Sequence, residues 1–356
     1  MKIQKVLSAV LVVFMFFSMS SFAAFAEEAP QIEYTTAEYE EAFFHAAKDP
    51  AFTPYKKTEC DQQGTIEAIE YDAPAYAFNE ILGVDEIIHK KLYVYLPYGY
   101  DPSTQYNILY LMHGGGESQE YWLGKDKELT GGRPAFGKTT QNVLDHMIQE
   151  GLCDPLIVVS PTFYSPVDGM EITLDQVKAF ADEIDEFNYT RVDDLYTWFF
   201  RYELRNDIIP LVESSFSTYA KGDVSEEKLI ATRDHRAYAG LSMGSITSVH
   251  SALMGCADII AYVGSWSGIK TNFDLFKSTM EDQFADYPIK YWYNGEGVDD
   301  IAFVEHMQFH NNVTSQMADT FRDGENYAMV VLEDGNHGWP SWIIELYNVL
   351  LVFFKK

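Results

Sequence analysis

The chain has 356 residues, of which 47% are hydrophobic and 22% are charged, and this balance excludes an intrinsically disordered chain and a fibrous repeat. It carries 54 Asp and Glu residues against 25 Lys and Arg residues, which gives a formal net charge of −29 at pH 7. A surface this negative repels phosphate backbones and anionic headgroups, so nucleic-acid partners, membrane partners and polyanionic substrates are disfavoured. Neutral polysaccharides and small uncharged molecules remain as candidate ligands.

The first 26 residues have the pattern of a secretory signal peptide. Lys2 and Lys5 precede an apolar segment at residues 6–17, and Ala24 and Ala26 form a small-x-small cleavage site. The apolar segment is too short for a comfortable membrane span. We therefore expect an extracellular protein.

Residues 27–64 form a polar lead-in segment, and the main domain is predicted over residues 65–356. Residues 65–71 and 89–96 alternate apolar and polar side chains, which predicts antiparallel edge strands with one solvated face. The later strand candidates are short and mostly apolar, which indicates burial on both faces and a parallel sheet: residues 108–112, 156–159, 237–239, 261–263, 289–293 and 328–332.

Helical patterns alternate with these buried strands, at residues 139–149, 193–214, 245–253, 272–283, 301–321 and 341–354. This alternation is typical of a doubly wound α/β fold. Residues 163–194 are long for a connection in such a fold, and long connections at strand ends often form lids or binding loops. We expect this insertion to form a cap over the functional site.

A G-x-S-x-G sequence lies between a buried strand candidate and a predicted helix, at residues 240–244. By itself it occurs often by chance, but this context is that of the nucleophile elbow, in which a tight turn presents a serine beside a helix N-terminus. Gly240 and Gly244 occupy positions where a side chain would collide. The pattern therefore predicts Ser242 as a nucleophile.

A glycine-rich turn, Gly114 to Gly116, follows His113 at the end of the strand candidate 108–112. Bare backbone at that point can direct N–H groups at a developing oxyanion. We predict an oxyanion hole formed by Gly114, Gly115 and the N–H group of Met243. A phosphate-binding loop is the alternative, but the lysine and the glycine spacing of nucleotide-binding loops are missing.

Four histidines follow Ser242, and a serine nucleophile needs one of them as its base. His250 lies inside the helix that begins at the elbow, and His306 and His310 lie one turn apart on a helical pattern, where exposed or capping histidines are expected. His337 lies in a loop after the last strand candidate, where the base of this fold belongs. A zinc site at His306 and His310 lacks a third nearby ligand, so no metal or cofactor is predicted.

The acid that orients the base is predicted in the loop after residues 289–293, where three carboxylates compete. Asp300 is our first choice because it lies where the loop turns into a helix, followed by Asp299 and then by Glu296. Asp334 is too near His337 in sequence and has the character of a turn residue.

Tyr121 and Trp122 follow closely after the glycine turn. Aromatic rings at that place can stack on sugar or phenolic rings, so we predict substrate contact for this pair. The remaining aromatic clusters are assigned to the core.

From about residue 88 to its end, the chain resembles the putative-esterase family of α/β hydrolases, which includes carbohydrate esterase family 1 feruloyl esterases, esterase D and the mycolyltransferases. The matching sequences are LYLMHGGG at 109–116, ELRNDIIPLVE at 203–213, HRAYAGLSMG at 235–244, DIAF at 300–303 and GNH at 335–337, with Trp339 and Trp342 beyond. The resemblance implies an α/β-hydrolase fold with Ser242 as nucleophile, Asp300 as acid and His337 as base. The chain departs from the family in the insertion before Asp193 and in extra residues at 218–234.

These features predict a secreted serine esterase that acts without a cofactor on ester groups of plant cell-wall polysaccharide. The resemblance favours feruloyl esters of xylan. An acetyl-xylan esterase, an acyltransferase of the same fold and a non-catalytic carbohydrate-binding module are the alternatives. The last of these would be marked by loss of a triad residue, and no triad residue is missing.

Overall fold

An eight-stranded sheet organises the computed structural model, which describes residues 40–125, 129–130, 133–186 and 189–355. Its strands are β1 (Thr65–Pro74), β2 (Ile87–Leu96), β3 (Asn107–Met112), β6 (Leu156–Ser160), β7 (Arg236–Leu241), β8 (Tyr262–Trp266), β9 (Tyr291–Asp299) and β10 (Tyr327–Asn336). The spatial order is β1-β2-β6-β3-β7-β8-β9-β10. Two short strands, β4 (Leu129–Thr130) and β5 (Arg133–Pro134), pair separately.

The sheet is mostly parallel, as the apolar strand candidates predict. All pairings from β6 through β3, β7, β8 and β9 to β10 are parallel, whereas β1 with β2 and β2 with β6 are antiparallel. Every residue of β3, β6, β7 and β8 is buried. One expectation is corrected: β1 is an edge strand, but β2 is internal because residues 93–95 also pair with β6.

Thirteen α-helices within the described residues connect these strands: α1 (Thr53–Lys57), α2 (Tyr76–Leu82), α3 (Glu120–Leu123), α4 (Gly137–Gln149), α5 (Leu174–Glu183), α6 (Val192–Glu203), α7 (Ile209–Ser215), α8 (Glu226–Ala231), α9 (Met243–Thr247), α10 (Met254–Cys256), α11 (Phe273–Ser278), α12 (Phe303–Gln316) and α13 (Trp339–Val352). The helices form two groups that pack separately against the sheet. One group has α4 and α13 at its centre, and the other surrounds α6 and α9. Helices in two separate groups cover both faces of a sheet whose strands are buried on both sides.

Three predicted helices contain π-helical segments, at Leu204–Ile208, Ser248–Leu253 and Thr279–Gln283. The predicted helix at 193–214 is therefore α6, a π turn and α7 in succession. Helix α12 ends at Gln316, five residues before the predicted end. No helix among the described residues combines the length and the apolar character needed to cross a membrane.

The lead-in segment packs on α13. Phe52 is fully buried and its ring meets that of Tyr347 edge to face at 5.4 Å. The Asn348 side chain accepts a hydrogen bond from the N–H of Phe44 at 3.0 Å and donates one to its carbonyl at 2.9 Å. The predicted signal peptide, residues 1–26, lies outside the described residues, and the three cysteines, Cys60, Cys153 and Cys256, are buried and form no disulfide.

The insertion at residues 163–194 contains helix α5, whose N-terminus is closed by a capping box between Thr173 and Gln176. Buried Glu186 accepts hydrogen bonds from the Thr271 hydroxyl at 2.8 Å and the Asn272 N–H at 2.5 Å. These bonds tie the insertion to the loop that follows β8. Its predicted role as a lid stays a prediction.

Candidate active site

The turn between β7 and α9 holds Ser242 in a strained conformation, with φ +52° and ψ −116°. A side chain at Gly240 would lie 2.4 Å from the carbonyl oxygen of Gly244, and one at Gly244 would lie 2.5 Å from the carbonyl oxygen of His113. Only glycine fits at both positions. The Ser242 N–H donates to the Trp266 carbonyl at 2.9 Å, which fixes the turn on the neighbouring strand β8. Such strain persists only where the surroundings determine it, and it presents the hydroxyl beside the N-terminus of α9.

The structure brings Ser242, His337 and Asp300 together in one hydrogen-bonded chain. Nε2 of His337 lies 3.0 Å from the Ser242 hydroxyl oxygen, and Nδ1 lies 2.8 Å from Oδ1 of Asp300. Strand β9 ends directly before Asp300, and β10 ends directly before His337, so both side chains are set by the ends of neighbouring parallel strands. Asp299, the second candidate acid, is exposed, whereas Asp300 is buried.

The Asp300 carboxyl is held in its ionised form. Burial raises its pKa, but hydrogen bonds from His337 and from the Ala302 N–H, at 2.9 Å, outweigh burial and leave the pKa below its ordinary value. An ionised Asp300 requires the Nδ1–H tautomer of His337, which leaves Nε2 free to accept the Ser242 proton. The arrangement can therefore perform nucleophilic catalysis.

The glycine turn after β3 offers fewer N–H groups than the sequence predicts. The N–H of Gly114 donates to Oε2 of Glu117 at 2.8 Å, and that of Gly116 donates to the Tyr164 hydroxyl at 2.9 Å. The predicted oxyanion donor Gly114 is thus corrected, because its N–H group is already paired. Gly115 remains, and a side chain on it would lie 3.1 Å from Sδ of Met243, so the predicted donors Gly115 and Met243 are close neighbours.

His113 fixes the orientation of the peptide unit between Gly114 and Gly115. Its Nδ1 lies 2.8 Å from the Gly114 carbonyl oxygen and its Nε2 2.8 Å from the Thr162 hydroxyl. Burial lowers the pKa of His113 to about 4, so the ring is neutral and donates from Nδ1. Because the carbonyl of Gly114 and the N–H of Gly115 belong to one planar unit and point in opposite directions, this bond also aims the Gly115 N–H.

A cleft of about 510 Å³ opens at Ser242 and His337. One group of its lining residues is apolar and comprises Ile246, Ile269, Phe273, Phe309 and Ile301, and Arg191, Lys270 and Glu305 supply charge. Ile301 is 83% exposed, and its neighbours Val298 and Val304 are also exposed. These residues were missed by the sequence reasoning, because an apolar pattern does not distinguish a cleft wall from the core.

Tyr121 and Trp122 do not reach this cleft. Both side chains are buried, and Trp122 packs against Trp339 with ring centroids 5.2 Å apart while its indole N–H donates to the Met112 carbonyl at 3.0 Å. The Tyr121 ring also meets Trp339, edge to face, at 5.6 Å. The predicted substrate contact is corrected: this pair supports the end of β3 from inside the core.

The other candidates fall outside the triad. His250 is buried beneath the insertion, with Nδ1 3.3 Å from the Tyr189 hydroxyl. His306, expected at the surface, is fully buried against Glu296, the third candidate acid. Within the described residues there is no group of three or more His, Cys, Asp or Glu side chains placed to hold a metal ion.

Comparison with known proteins identifies the family of this chain. The family model Esterase, described as putative esterase, matches residues 89–352. The chain belongs to this family. Its fold is that of the α/β hydrolases, and family and structural neighbours together make this domain a carboxylic ester hydrolase.

Among curated relatives, endo-1,4-beta-xylanase Y of Acetivibrio thermocellus is 38% identical over 179 residues, which are 50% of this chain and 13% of that protein. An endo-1,4-beta-xylanase/feruloyl esterase of Xylanibacter ruminicola is 25% identical over 205 residues, 56% of this chain and 21% of that protein. The chain thus spans roughly an eighth and a fifth of these two relatives.

Among solved structures, this chain is similar to the feruloyl esterase module from Clostridium thermocellum, which was solved as a serine-to-alanine mutant complexed with sinapinate. The TM-score is 0.66 and the sequence identity is 27%, and the match covers 88% of this chain and 94% of that one. A ferulic acid esterase from the anaerobic fungus Anaeromyces mucronatus has a TM-score of 0.60 at 19% identity, covering 88% and 98%, and shows the shared fold.

Proposed function

We propose that this chain is a secreted serine esterase that hydrolyses feruloyl esters of xylan through an acyl-enzyme. The observation that carries the proposal is the hydrogen-bonded chain from Ser242 through His337 to Asp300, with distances of 3.0 and 2.8 Å, at the floor of a partly apolar cleft. The relatives named as xylanases and feruloyl esterases support xylan and hydroxycinnamoyl groups as the substrate class.

The reaction follows from the positions of the atoms. Nε2 of His337 takes the proton of the Ser242 hydroxyl as the oxygen attacks the ester carbonyl carbon, and the resulting oxyanion accepts hydrogen bonds from the N–H groups of Gly115 and Met243. His337 then gives its proton to the departing sugar oxygen, which leaves an acyl group on Ser242. Water attacks this acyl group while His337 takes its proton, and the acid departs as Ser242 recovers its hydrogen.

The cleft favours a bulky acyl group over acetyl. A volume of about 510 Å³ lies in the usual range for sites that enclose drug-sized ligands, whereas an acetyl group would leave most of it filled with water. Phe273 and Phe309 line the cleft and can pack against a phenolic ring, and Ile301 adds a largely exposed apolar side chain.

Substitution of Ser242 by alanine tests the mechanism. We expect kcat on methyl ferulate to fall by roughly four to six orders of magnitude with the thermal unfolding temperature retained, because triad residues act as a unit. Ser214→Ala, an exposed serine on α7, is the matched control and should keep full activity. If Ser242→Ala retained more than about a tenth of the activity, the proposed mechanism would be abandoned.

Substitution of Ile301 by serine tests the acyl subsite. Loss of an apolar contact worth about 1 kcal/mol predicts a roughly fivefold fall in kcat/KM on methyl ferulate, with a small acetyl ester changed less than about twofold. Ile87→Ser makes the same change at an exposed position on β2 and should affect neither substrate. More efficient turnover of acetylated xylan than of ferulate esters by the unmodified protein would instead assign it as an acetyl-xylan esterase.

Export is tested separately. Expressed with residues 1–26 in a bacterial host that secretes proteins, the chain should collect outside the cytoplasm with Glu27 at its N-terminus, as measured by mass spectrometry. Deletion of residues 1–26 should retain it in the cytoplasm. Accumulation of the uncleaved chain in the cytoplasm would contradict the predicted signal peptide.

A further inference from the structure

Three fully buried polar side chains lie close to Asp300 and do not line the cleft. Asn294 and Glu296 point from β9, and His306 comes from α12; each has 0% of its surface exposed. None of them contributes to the mechanism described above. Burying three such groups carries a cost in free energy, so their arrangement requires an explanation.

The three side chains form a chain that leads to the triad. Nε2 of His306 lies 3.1 Å from Oδ1 of Asn294, and Nδ1 lies 2.7 Å from Oε2 of Glu296. The carboxyl of Glu296 in turn faces the carboxyl of Asp300 within hydrogen-bonding reach. The hydrogen-bonded triad is thus extended beyond Asp300 by three more side chains, those of Glu296, His306 and Asn294.

Two buried atoms along this line have no hydrogen bond of good geometry to any of the described residues, namely Oδ2 of Asp300 and Nδ2 of Asn294. The Ser267 hydroxyl accepts a hydrogen bond from the Trp342 indole at 2.7 Å, and its own hydrogen lies within reach of the Asp300 carboxyl, whose pKa it helps to lower. Two ionised carboxylates in contact both accept hydrogen bonds and repel each other, so an ionised Glu296 would offer no hydrogen bond to Asp300.

We propose that Glu296 is a positioning residue whose neutral carboxyl group donates a hydrogen bond to Oδ2 of Asp300. In this arrangement Oε2 of Glu296 accepts from the Nδ1–H of His306. Nε2 of His306 then needs a donor, which the Asn294 amide supplies when turned by 180°, since its nitrogen and oxygen are interchangeable in shape. This set of proton positions gives a donor to Oδ2 of Asp300 and an acceptor to Nδ2 of Asn294, while Oδ1 of Asn294 takes the position that Nδ2 leaves.

The surrounding charges favour this assignment. Burial and the adjacent Asp300 raise the pKa of Glu296 to about 9, whereas burial lowers the pKa of His306 to about 3, so both groups are neutral near pH 7. On α13, the carboxyl of Glu345 also lies close enough to Glu296 and Asp300 to sense their charge, and it pairs with the Tyr293 hydroxyl. Of these acids, Asp300 alone receives the hydrogen bond of His337 and holds the negative charge.

Substitution of Glu296 by glutamine tests the protonation state. Glutamine keeps an N–H donor for Asp300 and a carbonyl acceptor for His306, so we expect kcat/KM within about threefold of the unmodified enzyme and the acidic limb of its pH profile within about 0.3 pH units. If Glu296 were ionised, the same change would remove a negative charge beside the triad, and the limb would move to lower pH by about one unit or more. Asp299→Asn, which removes an exposed carboxylate beside Asp300, is the control and should leave the limb in place.

Substitution of Glu296 by methionine removes the donor while filling a similar volume. We expect kcat to fall roughly tenfold to a hundredfold with KM within about threefold, because a hydrogen bond to a charged group is lost where the acid holds the base. A folded Glu296→Met variant with unchanged kcat would overturn the positioning role.

Infrared spectroscopy decides the proton position without any activity measurement. On a Ser242→Ala background, the difference between spectra with and without Glu296→Gln should contain the carbonyl band of a protonated carboxyl group at neutral pH. Absence of that band overturns the proposal even if Glu296→Met does not fold. The inference rests on the proposed function, but a failure of Ser242→Ala to abolish activity would refute the triad and leave this spectroscopic result standing.

Discussion

Replacement of Trp122 by alanine is expected to destabilise the fold without weakening substrate binding. The side chain is 0% exposed, packs on Trp266 and Trp339, and donates its indole N–H to the Met112 carbonyl at 3.0 Å. Loss of a buried tryptophan costs about 3–5 kcal/mol in free energy of unfolding, and the lost hydrogen bond adds about 1 kcal/mol. For a domain of this size we expect Tm to fall by roughly 10 °C.

The assay pairs calorimetric or urea unfolding with steady-state kinetics on methyl ferulate, at a temperature where every variant is folded. Trp122→Phe keeps an aromatic ring and loses the indole donor, so it should lose about 1–2 kcal/mol of stability and serves as the matched variant. In both variants KM should stay within about twofold. A tenfold rise in KM with an unchanged Tm would refute the burial argument and return Trp122 to the substrate site.

Three further variants probe the carboxyl groups. Asp300→Asn should reduce kcat by roughly four orders of magnitude, since an amide can select the wrong tautomer of His337, whereas Asp299→Asn should retain most activity; the opposite order would make Asp299 the acid. Burial raises the pKa of Glu345 to about 8 from an ordinary value of 4.5. Between pH 4.5 and about pH 8 the folded state therefore keeps a proton that the unfolded state releases, so the free energy of unfolding falls as the pH rises through this range. Glu345→Gln should therefore lessen the loss of Tm between about pH 5 and pH 8, and an unchanged loss would mean that Glu345 is not protonated in the fold.

The parts of the site that the sequence predicts are those governed by local rules. The tight turn through Ser242 needs glycine at 240 because the backbone of Gly244 lies against it, and glycine at 244 because the end of the neighbouring strand β3 lies there. The ends of β9 and β10 bring Asp300 and His337 to the same edge of the sheet. The buried strands are recognisable for the same reason, since each is a short apolar run.

The parts that the sequence does not predict depend on partners distant along the chain or on the path of the backbone. Tyr121 follows the glycine turn closely, but Trp339, more than two hundred residues later, covers it. His306 lies on a helix with a weak apolar pattern and is buried where α12 packs against β9, with Glu296 facing it. Gly114 is the exception, because its partner Glu117 lies only three residues away and a carboxylate at that spacing is a detectable signal.

The walls of the cleft and its catalytic groups come from different classes of segment. Ser242, Asp300 and His337 lie at strand ends, whereas Arg191 belongs to the insertion, Ile269 to Thr271 form the loop after β8, and Ile301 lies in the turn before α12. The hydrogen bonds among Ser242, His337 and Asp300 involve none of these wall side chains. The side chains that meet a ligand can therefore be exchanged separately from the groups that would act on it.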